Sequence, residues 1–154
     1  MRSRFAFGLF IVACIAAAPL LAQENALEKE PYGYFRPAAK FANEFADVAE
    51  LHLSGAGEYG AKANPPFLGT LETKGRAPKK FRIRERNIAG LKIDLSTETL
   101  GGVSYQFSGT FARADFHAGG VPLDEVMLSG TLTKLRDGKT IATTRVRFAF
   151  EAGG

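Results

Sequence analysis

From residue 50 onward apolar and polar residues alternate one for one, and this pattern limits the fold more than any other feature. Leu51 and Leu53 alternate with Glu50 and His52, and Phe81 and Ile83 with Arg82 and Arg84. Leu91, Ile93 and Leu95 alternate with Lys92 and Asp94, and Val103, Tyr105 and Phe107 with Ser104 and Gln106. Successive side chains of a strand point to opposite faces, so a period of two means strands with one buried and one wet face. Sheets of that kind are antiparallel. Clusters of Gly, Pro and Asn divide the runs at residues 55–66, 75–78, 87–90, 101–102 and 119–122. About seven strands at this spacing predict an all-β fold, either an antiparallel sandwich or a small barrel.

The last two runs specify a pairing. Val126, Leu128 and Leu132 are even-numbered, and so are Ala142, Val146, Phe148 and Phe150. A two-residue turn at Asp137 and Gly138 would pair even with odd positions and put these sets on opposite faces. A three-residue loop of Arg136, Asp137 and Gly138, with Gly138 left-handed in a bulge, pairs Leu128 with Val146 and Val126 with Phe148. That register buries one continuous face. The apolar parity also changes between Phe107 and Phe116, which predicts a bulge near Ala112. Leu53-Ser54-Gly55, Phe107-Ser108-Gly109-Thr110-Phe111 and Leu128-Ser129-Gly130-Thr131-Leu132 resemble one another but are too brief for a repeat architecture. Glycine inside a strand marks close packing or a bend, so these segments favour a curved sheet and barrel-like closure.

Upstream, residues 23–37 turn from polar to aromatic, ending Tyr32-Gly33-Tyr34-Phe35-Arg36-Pro37. They read as an extended lead segment whose rings cover a core edge or dock on a partner. Phe41, Phe45 and Val48 then recur at three- and four-residue spacing behind Pro37, a residue suited to a first helical position. This predicts one short N-terminal helix over residues 37 to about 47. Residues 38–154 are expected to form a single β domain.

The chain opens with the basic Met1-Arg2-Ser3-Arg4, an apolar run over residues 5–18, and Pro19-Leu20-Leu21-Ala22 ahead of the polar Gln23. These are the parts of a secretory signal peptide, with cleavage expected after Ala22. The run falls short of the roughly 20 apolar residues that span a bilayer, so an integral membrane protein is not expected. Ile11-Val12-Ala13-Cys14 also fits a lipoprotein processing site, but the residues behind Cys14 stay apolar as far as Ala22. Removing residues 1–22 takes away Cys14, the chain's one cysteine, and with it disulfides, thiolate metal sites and a cysteine nucleophile. The expected product is a thiol-free periplasmic or secreted protein, long enough to bury one core.

Charge is uneven along the chain. Residues 74–86 carry seven basic side chains against Glu85 alone. Strand alternation puts Arg82, Arg84 and Arg86 on one face, about 6.8 Å apart at each step. Guanidinium forks at that spacing suit successive phosphates or carboxylates. Lys79, Lys80, Arg82, Arg84 and Arg86 are therefore the candidate anion site, and anionic lipid head groups, acidic glycans or an acidic protein the candidate partners. Export and the sparse aromatic interleaving speak against nucleic acid. The competing reading is a solvated edge strand whose charges discourage pairing with another chain.

Catalytic signals are weak. His52 and His117, the two histidines, each follow a carboxylate by two residues, Glu50 and Asp115. On neighbouring strands, Glu50, His52, Asp115 and His117 would make a two-histidine, two-carboxylate metal site, the basis for an alternative reading as a metal-dependent hydrolase. No serine stands in a Gly-x-Ser-x-Gly elbow, and there is neither a phosphate loop nor a dinucleotide fingerprint. No metal or cofactor is expected. Thirteen phenylalanines without a tryptophan suggest a second alternative, a barrel holding a small apolar ligand. The leading expectation is an exported, non-enzymatic binding or structural domain that meets an anionic ligand through its basic strand.

Overall fold

The computed structural model describes residues 31–55, 64–114 and 125–151, and its strands close into an antiparallel barrel. The strands are β1 (Gly33–Pro37), β2 (Val48–Leu53), β3 (Gly69–Thr73), β4 (Lys80–Ala89), β5 (Lys92–Thr97), β6 (Val103–Phe111), β7 (Val126–Arg136) and β8 (Lys139–Glu151). Each pairs with the next along the chain. β8 then returns to β1, matching Phe35 to Phe150 and Pro37 to Phe148. Of sandwich and barrel, the chain forms the barrel, and closure leaves no strand as an edge. Gly33–Pro37, within the segment read as a lead, is the strand that completes it.

The alternation assigned the faces correctly. Leu51, Leu53, Phe81, Ile83, Ile93, Leu95, Tyr105 and Phe107 are all buried. An eight-stranded barrel has a lumen about as wide as the side chains that fill it. Here rings fill it: Phe81 meets Tyr105 edge-on at 5.0 Å, and Phe107 meets Phe148 at 5.9 Å. The described part of the lumen is thus a packed core and not an open apolar cup.

Four register shifts adjust the wall, each adding one residue to a strand: Ala49 on β2, Arg84 on β4, Met127 on β7 and Ile141 on β8. The last two correct the expected hairpin. The turn is the two-residue form, with Arg136 opposite Lys139 and positive φ at both Asp137 (49°) and Gly138 (77°). Such a turn matches strand twist, but alone it would pair even with odd. Ile141 restores the parity by bulging outward, where it is 45% exposed. Leu128 consequently faces Phe148 instead of Val146, and Val126 faces Ala149 instead of Phe148. The even-numbered face is nonetheless the inner one: Leu128, Leu132, Val146 and Phe148 are buried. Near Ala112 the shift lies opposite, at Met127, whose carbonyl accepts from the Ala112 N–H; Phe116 is outside the described residues.

The expected helix over residues 37–47 is not formed. Pro37 is spent on closing the barrel against β8, and only a single 3-10 turn, Asn43–Phe45, follows. The apolar spacing serves a plug: Phe45 and Val48 are buried, and Phe41 packs edge-on against Phe148 at 5.4 Å. Ten residues between two barrel strands must cross the barrel end, which leaves little room for helical turns.

Candidate anion-binding site

The bulge at Arg84 redistributes the basic residues of β4. Before it, Phe81 and Ile83 point inward and Arg82 outward. Beyond it, Glu85 faces Ser96 and Arg86 faces the buried Leu95. Directly paired residues share a side of the sheet, so Arg86 is turned to the inside. Its guanidinium donates to the carbonyls of Ser54 (2.9 Å) and Leu68 (3.4 Å), tying the ends of β2 and β3 together. The expected stripe of Arg82, Arg84 and Arg86 is therefore not one face. The parity change from Ile83 to Ile88 was the sequence signal for this break.

The remaining members separate as well. The Arg82 guanidinium lies over the Phe67 ring, 5.7 Å from its centre. Lys80 forms an ion pair with Glu72 at 2.7 Å, and that hydrogen bond holds its ammonium pKa above the usual lysine value. Arg84 is exposed at its bulge. Nor is β4 an edge, since it pairs with β3 and β5, so its charges have no open edge to protect.

Of the five, Lys79 reaches a cavity at the end of the barrel. One end of the barrel carries the connections after β1, β3, β5 and β7, and a hollow of about 240 Å³ opens there. Lys74, Lys79, Lys134 and Arg136 surround it, Phe81, Val103 and Tyr105 form its apolar side, and Asp47 is its carboxylate. The positions follow from the strands. Lys134 pairs with Tyr105 and Arg136 with Val103, so both cations continue the inward face of β7 to the rim. Lys74 leaves β3 with its N–H bonded to the Asp47 carbonyl at 2.7 Å. Lys79 enters β4 through hydrogen bonds with Thr73 in both directions.

Two groups at the mouth are electrostatically defined. The Lys134 ammonium donates to the Glu44 carbonyl at 2.9 Å and lies 5.7 Å over the Tyr105 ring. Burial, then the nearby Asp47 carboxylate, pushes the Tyr105 phenol up to about 12, so it stays an O–H donor at physiological pH. The ion pairs found among the described residues join Arg36 to Glu50 and Glu151, Lys80 to Glu72, and Arg113 to Glu125. None of them engages the four cations of the mouth. Lys134 and Arg136 went unmarked in the sequence, although they extend the even-numbered set that buries Leu128 and Leu132.

Of the four residues considered for a metal, two are described. His52 stacks on Tyr34 at 4.5 Å on the outer wall, and Glu50 is held by Arg36 at 3.5 Å. Asp115 and His117 lie outside the described residues. Among the described residues no three His, Cys, Asp or Glu side chains gather as a metal site. Likewise among them, no helix is long and apolar enough to cross a membrane. No protein-family model, curated protein or solved structure matches the chain.

Proposed function

We propose that this chain is an exported, non-enzymatic binding barrel that takes an anionic ligand at its basic mouth. One observation carries the reading: Lys74 and Lys79 from the β3–β4 connection and Lys134 and Arg136 from β7 surround one hollow lined by a single carboxylate. Cations brought together without ion-pair partners repel one another, and a bound anion removes that cost. A hydrogen bond from a charged donor contributes about 1.5–3 kcal/mol, so two or three such contacts support measurable affinity. The N-terminal signal pattern of residues 1–22 supports export, and with it a periplasmic or extracellular location.

Titration calorimetry with inorganic phosphate tests the site. Lys79→Ser combined with Arg136→Ser is expected to weaken binding at least tenfold. Lys80→Ser, Arg82→Ser and Arg84→Ser together should leave it nearly unchanged. Affinity should fall with added salt, because exposed charges are screened over about 8 Å at physiological ionic strength. Binding that survives the mouth substitutions but is lost with the wall substitutions would return the site to the outer face of β4.

A further inference from the structure

Resting on the mouth as the anion site, we infer that its ligand is a compact phosphate monoester whose organic part carries a hydroxyl group. The hollow is not uniformly basic. Its walls offer four cations, its apolar side the Phe81 ring, Val103 and the Tyr105 ring, and one position a carboxylate, Asp47. A bare anion uses the cations and gains nothing from the other two features. Asp47 would repel it.

Each feature has a partner in a hydroxylated phosphate ester. A doubly charged phosphate head suits an excess of cations better than a single carboxylate does, and it accepts from ammonium, guanidinium and phenol donors alike. The Tyr105 hydroxyl belongs to that donor set because it keeps its proton. Asp47 is acceptor-only when ionised, so it selects a ligand that donates, and a hydroxyl donates without cancelling the ligand's charge. Apolar contacts on Phe81 and Val103 then cover the C–H face of the organic part. Size agrees: about 240 Å³ corresponds to roughly eight waters at their liquid volume, enough for a phosphate and a small ring. A flat anionic surface would touch the rim and leave the hollow unfilled.

The probes are glucose 6-phosphate, inorganic phosphate, glucose, and vesicles containing phosphatidic acid, which presents the same phosphate monoester on a lipid. Glucose 6-phosphate should bind at least tenfold more tightly than inorganic phosphate, and glucose not measurably. Asp47→Ala should then move the two phosphates in opposite directions: inorganic phosphate tighter, through lost repulsion, and glucose 6-phosphate weaker, through the lost acceptor. The Asp47 side chain forms no hydrogen bond or ion pair among the described residues, so the variant keeps its fold, which its melting temperature verifies. The hydroxylated ligand is refuted if both phosphates tighten alike in Asp47→Ala, or if the wild-type protein does not distinguish them; the anion site survives that result. Vesicle binding in place of glucose 6-phosphate overturns it in favour of a lipid surface. Failure of every phosphate, inorganic phosphate included, removes the mouth itself as an anion site.

Discussion

Gly109 and Gly130 stand directly opposite each other on β6 and β7, and the Phe107 ring packs over both. A Cβ on Gly109 would come within 2.6 Å of two Phe107 ring carbons and 2.7 Å from the Ser129 carbonyl oxygen. One on Gly130 would sit 2.2 Å from the Ser108 carbonyl oxygen and 2.5 Å from the Gly109 Cα. The two strands therefore approach closely, and the ring occupies the space that paired side chains would have taken.

Alanine at either glycine should destabilise the barrel, by about 1–3 kcal/mol or more for overpacking of this kind. Gly130→Ala should be the worse of the two, because its two nearest contacts are both backbone, whereas those at Gly109 are the Phe107 ring. Adding Phe107→Leu should recover part of the loss at Gly109 and little at Gly130. Urea unfolding of the single and double variants measures this, and equal rescue at both positions would contradict the packing described.

Val146 is buried opposite Gly130. Val146→Asp should prevent folding or nearly so, because an unpaired carboxylate would enter the packed lumen. Arg145→Asp and Arg147→Ser change exposed residues on the same strand and should alter stability little. Circular dichroism melts of the three variants give the comparison.

The division within β4 has a stability consequence. Arg86→Leu removes the guanidinium donor from the Ser54 carbonyl and should cost about 1–3 kcal/mol for leaving it unsatisfied, while the Leu68 carbonyl keeps the Ser54 N–H. Arg82→Ser and Arg84→Ser should cost well under that. Three equal losses in urea unfolding would restore the single arginine face.

Tyr105 predicts a response to alkali. Its folded pKa of about 12 exceeds the ordinary 10.0, so the native state holds the proton more tightly than the unfolded chain. The associated stability is fully present below pH 10 and is lost as pH rises towards 12. A spectrophotometric titration should show a late-ionising tyrosine that is absent from Tyr105→Phe. That variant keeps the ring contact with Phe81 and should lose less stability between pH 10 and 12.

Intact mass measurement of the exported protein should place its first residue at Gln23, with no lipid attached. The motive is the polar switch at Gln23 and the apolar stretch behind Cys14. A diacylated Cys14 at the N-terminus would place the protein on a membrane surface.

Alternation by itself determined which residues of the described strands are inside. Burial of an apolar side chain is local to its strand, and a period of two records it whatever the neighbours are, as Phe81, Ile93 and Phe107 show. Closure was only hinted at, by the similar glycine segments around Gly109 and Gly130. Where the pattern misled, an inserted residue was responsible. Arg84 and Ile141 each reverse the faces beyond them, and the cost of a bulge depends on the partner strand, which the sequence of one strand does not contain. Arg86 therefore looked like a neighbour of Arg82 and became an inner tether. The helix expected behind Pro37 failed for a related reason, since the same apolar spacing fits a plug once β1 is committed to β8. The basic run marked Lys79, but the mouth as a site belongs to the tertiary structure. Asp47, Lys74, Lys79, Tyr105, Lys134 and Arg136 come from separate parts of the chain, and only closing the barrel brings their ends to one rim.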